Sequence, residues 1–337
     1  MKMMKLTISV LMILQLFVGC TKNELSRPSE KSINYRQEMR SFVIELSAYA
    51  KSHKDDFIII AQNGQELIRE KAEGSIQRTY LQAIDATGRE GLLYGYHTED
   101  VKTPLKDKKQ MLELCLLYEK YNVEVLVTDY CFRPNKVDDS YQVNEQMGFV
   151  SFAANKQELN TIPPYPLMPH NVNNDDIKHI SQAKNFLYLI NGENYEKKQD
   201  FINAVSASDY DLVIMDLYHN EIAYTESEII SLKTKSNGGE RLVVAYMSIG
   251  EAEDYRYYWQ KVWKTNKPNW LEAENPDWTG NYKVRYWDRH WQQIIFNEDD
   301  SYLKKIIDAG FDGVYLDIID AFEYFEDQQT SPKAKTS

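Results

Sequence analysis

Apolar residues in this chain alternate between two patterns. Short runs of β-branched and aliphatic residues read as buried strands, and stripes at helical spacing read as the helices between them. Met39, Phe42, Val43, Leu46 and Tyr49 recur at helical spacing, which predicts a helix over 36–52. Residues 57–61 form a buried strand ending in Gln62, Asn63 and Gly64. A weaker strand at 92–96 ends near His97 and Glu99, and a helix covers 107–121. Residues 123–128 form a strand ending in Asp129, and 148–153 is a short apolar run.

The pattern then breaks. Pro163, Pro164, Pro166 and Pro169 fall within 161–170, where neither a helix nor a central strand tolerates them. This segment reads as a join between two halves. Alternation restarts with strands at 186–190, 212–215 and 242–247 and helices at 196–207 and 226–236. A long loop holds a short strand candidate at 282–287. Tyr302, Leu303, Ile306 and Ile307 then form a helical stripe closed by Gly310, ahead of the strand 314–317.

That makes nine strand candidates for a barrel of eight, and 148–153 is set aside as the weakest. The expected fold is α/β, a single (β/α)8 TIM barrel spanning 36–327. A helix starts the chain and a strand nearly ends it. Strand 314–317 is therefore expected beside strand 57–61, with helix 36–52 across the seam. No glycine-rich nucleotide motif competes with this reading.

The N-terminus stands apart. Lys2 and Lys5 precede an apolar run over 6–18, the pattern of a signal peptide at 1–19. The run ends Leu16, Phe17, Val18, Gly19, Cys20, which resembles a bacterial lipobox with Cys20 as the lipidated residue. A flexible tether is expected over 20–35 and a disordered tail over 328–337. The expected location is an exported protein, lipid-anchored to a bacterial membrane. A formal net charge of −12 argues against nucleic acid as a partner. A monomer is expected. Cys115 reads as a buried thiol and Cys131 follows a strand. No CxxC, HExxH or histidine cluster suggests a metal, and no cofactor is expected.

In such a barrel, the strand ends that face one mouth carry the chemistry. The acids collected there are Asp129, Asp216, Glu251, Glu253 and Asp317, with Asp320 close behind. Carboxylates without metal-binding histidines suit acid–base work on a glycosidic bond. The plainer reading is that some cap helices or pair with Arg256 and Arg285. All six tryptophans lie between 259 and 291, interleaved with tyrosines. Rings such as Tyr255 and Trp287 are candidates for stacking on sugars. The plainer reading is a small aromatic core for the loop, and both can hold, with at least two rings facing a cleft.

Three stretches carry a resemblance: SIGEAEDYRYYW at 248–259, ENPDWTGNYKVRYWD at 274–288 and GFDGVYLDIIDAFEYFE at 310–326. They resemble glycoside hydrolase family 114, closest to its bacterial and archaeal branch of endo-α-1,4-polygalactosaminidase-like proteins. The resemblance implies a TIM barrel that cleaves an amino-sugar polymer with retention and without a metal. It places the catalytic aspartate on Asp317 and a substrate-binding motif on Glu253, Asp254 and Arg256. The strand order is circularly permuted relative to the family. Its first five strands correspond to 186–317, and its last three come first.

The family's acid/base glutamate ends the strand after 57–61. With that strand read at 92–96, no glutamate falls in place, so Glu99 and Glu251 are the candidate proton donors. Asp216, Glu253 and Arg256 are expected to orient the substrate. The alternative function is a non-catalytic carbohydrate-binding lipoprotein that kept the cleft and lost its donor.

Overall fold

The computed structural model describes residues 33–330. The signal peptide and Cys20 lie outside the described residues, as do residues 331–337. Within the described residues, eight parallel strands form one sheet that curls into a TIM barrel. In chain order they are β1 (Ile58–Gln62), β2 (Ala86–Glu90), β3 (Glu124–Tyr130) and β4 (Val150–Ala154). Then follow β5 (Phe186–Tyr188), β6 (Leu212–Asp216), β7 (Leu242–Ser248) and β8 (Gly313–Asp317).

The last strand pairs with the first. Ile59 stands opposite Val314 and Ala61 opposite Leu316, and the Ile58 N–H donates to the Asp312 carbonyl at 2.9 Å. The first helix, α1 (Tyr35–His53), covers this seam as its stripe predicts. Asn34 caps it, accepting from the Gln37 N–H at 3.1 Å. Met39, Phe42, Val43 and Leu46 are fully buried. Truncating any one of the larger of these side chains to alanine costs about 2–5 kcal/mol. Arg36 ties α1 to the C-terminal helix Phe322–Thr330 through Glu326 at 2.9 Å. That helix runs three residues past the expected domain boundary.

β4 and β5 close the other seam without a ladder. Phe152 packs against Phe186 there, with ring centroids 5.7 Å apart. Parallel neighbours need a crossover, and here the proline segment supplies it in place of a helix. Its ordered contacts include Tyr165 Oη–H to Asp138 at 2.8 Å and His170 stacked on Tyr141 at 4.7 Å.

Three strand assignments need correction. The run 148–153, set aside in the sequence, is β4. Residues 282–287 are not in the barrel: Asn281–Val284 is the centre of a small antiparallel sheet with Glu251–Glu253 and Leu271–Glu274. The second half therefore contributes four barrel strands, not five. Finally, 92–96 is a loop, and the strand lies earlier, at β2. Leu92, Leu93 and Tyr94 are apolar because this loop is buried. A buried loop must satisfy its backbone. The Asp129 carboxylate does so, accepting from Leu93 N–H at 2.7 Å and Tyr94 N–H at 3.1 Å.

β2 escaped notice because it is poor in large apolar residues. Its centre is Gly88, where a Cβ would clash with the Tyr315 hydroxyl. The Tyr315 ring fills the barrel interior that a side chain at position 88 would otherwise occupy.

Candidate active site

Alternation along a strand sends residues two apart to the same face. Tyr315 and Gly88 meet inside the barrel, so Asp317 and Glu90, each two residues further on, also face inward. β8 and β2 flank β1 on either side. These two strands thus stand two spacings of about 4.8 Å apart, and the Glu90 charge still reaches the Asp317 carboxyl across the mouth. Both carboxyls line a single cleft of about 620 Å³.

Each is held by donors. The Tyr246 hydroxyl donates to Asp317 Oδ2 at 2.6 Å, and the Ile318 N–H to Oδ1 at 2.7 Å. The Tyr130 hydroxyl and the Gln62 side-chain amide donate to Glu90, joined by Asn63 Nδ2 at 3.2 Å. Burial pushes the Asp317 carboxyl well above the usual carboxylate range, and the nearby Glu90 charge pushes it the same way. Asp320, on the turn after β8, is raised by burial to about 6. Ile318, between them, sits at φ 58, a conformation that a β-branched residue rarely adopts. Such strain costs about 1–3 kcal/mol and collects at functional sites. Gly250 makes room for it, since a Cβ there would meet the Ile318 carbonyl oxygen.

The wall beyond Asp317 comes from β6 and the turn after β7. Arg256 lies between two acids, with Nη2 2.7 Å from Asp216 Oδ2 and Nε 2.5 Å from Glu253 Oε2. Tyr255 Oη–H donates to Glu253 Oε1 at 2.7 Å. All four line the cleft, and this ion network fixes the wall's charge and shape.

The other expected site residues fall elsewhere or are committed to other partners. Glu251 edges the cleft, but its carboxylate is paired with Lys283 at 2.8 Å and accepts from Asn275 Nδ2 at 2.8 Å and Asn281 Nδ2 at 3.3 Å. Glu99 does not line this cleft; it lies on a neighbouring pocket and accepts from the Gln157 N–H at 2.6 Å. Asp129 is fully buried and spends its oxygens on the 93–94 loop, on Ser140 Oγ at 2.7 Å and on Asn144 Nδ2 at 3.1 Å. It does not line the cleft. Asp254 pairs with Lys264 at 2.6 Å, off the cleft. Trp287 packs against Tyr35 at 5.0 Å and Phe325 at 4.7 Å, joining α1 to the C-terminal helix.

The aromatic loop divides as expected. Trp259, Trp263, Trp270 and Trp291 build its small core, with successive contacts of 5.0–5.3 Å through Trp263 and Trp270. Tyr255 and Trp278 line the cleft and are about half exposed. Sequence reasoning missed Glu90, Arg89 and Tyr246. The signal for Glu90 was available: an acid followed by Gly91 at φ 64, as β1 is followed by Gly64 at φ 57. Cys115 and Cys131 are free and buried. Among the described residues no acidic, histidine or cysteine cluster could hold a metal ion.

Fold and site together define a TIM barrel with a carboxylate-rich cleft at its mouth. The chain resembles Glycoside-hydrolase family GH114, whose model matches residues 170–336. Those residues hold β5–β8 and Asp317; β1–β4 and Glu90 lie outside the match. An uncharacterised protein of Methanocaldococcus jannaschii is 41% identical over 156 residues, 45% of this chain and 42% of that protein. One from Thermotoga maritima is 43% identical over 121 residues, 36% of each chain. One from Deinococcus radiodurans is 42% identical over 125 residues, 37% of this chain and 38% of that protein. The chain thus spans about two fifths of the length of these relatives.

Proposed function

We propose that this protein is a glycoside hydrolase acting on a polymer of amino sugars, with Asp317 and Glu90 as the catalytic pair. The observation that carries the reading is the convergence of these two inward-facing carboxyls in one cleft. Glu90 ends the strand after β1, the place where the resemblance expects the acid/base glutamate. It therefore replaces Glu99 and Glu251 as the proton donor. The non-catalytic alternative rested on a missing donor, and Glu90 removes that ground.

Burial and the nearby Glu90 charge favour the protonated form of Asp317 in the free protein, so the reaction requires bound substrate to leave Asp317 ionised and a proton on Glu90. Glu90 passes this proton to the departing glycosidic oxygen as that bond to the anomeric carbon breaks. An Asp317 oxygen forms the new bond, giving a glycosyl ester and retention. Glu90, now ionised, takes a proton from water, whose oxygen displaces Asp317 and frees the sugar. Tyr246 and the Ile318 N–H hold the attacking carboxylate in place.

Charge supports the substrate class. The cleft is lined by six carboxylates (Glu90, Asp216, Glu251, Glu253, Asp317 and Asp320) and two guanidinium groups, Arg89 and Arg256. The excess negative charge suits protonated amines, as on an α-1,4-linked galactosamine chain, and Tyr255 and Trp278 offer faces for its rings. A ligated ammonium also favours the ionised form of Asp317. Export with lipid on Cys20, and permutation relative to the family, belong to the same proposal.

The experiment is release of reducing ends from three polymers: α-1,4-galactosamine, its N-acetylated form and β-linked glucosamine. Release from the free-amine α-linked polymer is expected. Release from none of the three refutes the hydrolase reading, and release only from the acetylated chain refutes the cationic substrate.

A further inference from the structure

A second pocket of about 330 Å³ opens beside the cleft, and the mechanism above does not use it. Glu99, Phe132, Lys156 and Tyr165 are among its walls. It lies on the same face of the barrel, because its walls follow β3 and β4 at the ends where Tyr130 and Gln157 line the cleft. Tyr130 and Phe132 are two residues apart, so their Cα atoms are separated by at most roughly 7 Å. Gln157 forms the ridge between the two spaces. Its N–H donates to Glu99 Oε1 at 2.6 Å on the pocket side, and its side-chain amide to the Gly95 carbonyl at 3.3 Å on the cleft side.

The pocket presents two large rings to solvent: Phe132 is 50% exposed and Tyr165 37%. The backbone of one and the hydroxyl of the other are anchored. The Phe132 N–H donates to the buried Asp100 at 3.1 Å, and the Tyr165 hydroxyl to Asp138 at 2.8 Å. The two rings stand beside a carboxylate and an ammonium, Glu99 and Lys156. Such a surface suits a flat-faced polyol.

We infer that this pocket is a distal subsite, which binds sugar units of the same polymer beyond those held at Asp317 and Glu90. Phe132 and Tyr165 stack on the sugar rings; Glu99 and Lys156 take their hydroxyl or amino groups. The inference rests on the glycosidase reading. It explains why Glu99 stands at the mouth yet away from the reacting pair.

The test uses Asp317→Asn protein, which holds substrate without turning it over. Binding of short and long α-1,4-galactosamine oligomers is measured by calorimetry, with and without Phe132→Ala or Tyr165→Ala. Either added substitution is expected to weaken the long oligomer by up to about tenfold and leave the short one unchanged. An unchanged melting temperature confirms that the fold is intact. Equal weakening of both lengths, or none of either, overturns the distal subsite while leaving the cleft reading in place. Failure of every oligomer to bind the Asp317→Asn parent overturns both.

Discussion

Arg256 is the most exacting place to perturb this site without touching the reacting pair. Its side chain is 5% exposed, against 12% for Asp216 and 2% for Glu253. It gives Asp216 two contacts, Nη1 at 2.8 Å and Nη2 at 2.7 Å, and holds Glu253 through Nε at 2.5 Å. Arg256→Met keeps much of the volume and removes the charge. Asp216 then retains the Tyr218 N–H at 2.7 Å, and Glu253 the Tyr255 hydroxyl at 2.7 Å. Two carboxylates remain with no cation between them. Breaking a buried ion pair from one side costs about 3–5 kcal/mol. In a protein of this size that lowers Tm by roughly 5–10 °C. Arg256→Lys restores the charge but loses the planar fork, so it should recover only part of the loss. Differential scanning calorimetry at neutral pH and low salt checks this. A loss below about 2 °C for Arg256→Met would mean that water reaches both acids, and that the network does not shape the cleft wall.

Two further outcomes follow from the same geometry. Burial raises the Asp320 carboxyl to about 6, against about 3.9 for an unfolded chain, so the fold disfavours its charged form. The stability tied to it is full below about pH 4 and is lost as pH rises through about 6. Asp320→Asn should therefore raise Tm at pH 8 and leave it nearly unchanged at pH 4; a gain at both values would contradict the assignment. Asp129→Ala strands four donors in the interior and should cost more than about 3 kcal/mol in a denaturant titration, given about 1–3 kcal/mol for each donor left unpaired. A stable Asp129→Ala protein with a raised KM would instead return Asp129 to the substrate.

The sequence made the barrel legible where apolar runs and strands coincide. β1, β3, β5, β6, β7 and β8 are such runs, and the pairing of β8 with β1 followed from the apolar stripe of α1, which needed a strand pair to cover. It failed where hydrophobicity and strand part company. Leu92, Leu93 and Tyr94 look like a strand but form a buried loop, because Asp129 supplies hydrogen bonds from another element. Ala86–Glu90 does not look like a strand, because Tyr315 from across the interior fills the space over Gly88. That exchange hid Glu90 and shifted the donor assignment to Glu99. Trp287 and Trp278 were equivalent in the sequence, since a ring that braces a helix and a ring that faces a cleft have the same composition. Glu251 sits at a strand end like its neighbours, and only Lys283, far along the chain, marks it as paired.

The central claim is that Glu90, rather than Glu99 or Glu251, works with Asp317. The direct measurement is kcat on one amino-sugar polymer for Glu90→Gln, Glu99→Gln and Glu251→Gln, made side by side with Tm for each. Loss of a proton donor lowers the rate by roughly 10²–10⁴-fold. The account predicts a fall of that size for Glu90→Gln with Tm nearly unchanged, little change in kcat for Glu99→Gln, and a lowered Tm for Glu251→Gln. A Glu90→Gln protein that keeps kcat, while Glu99→Gln or Glu251→Gln abolishes it at unchanged Tm, would contradict the account.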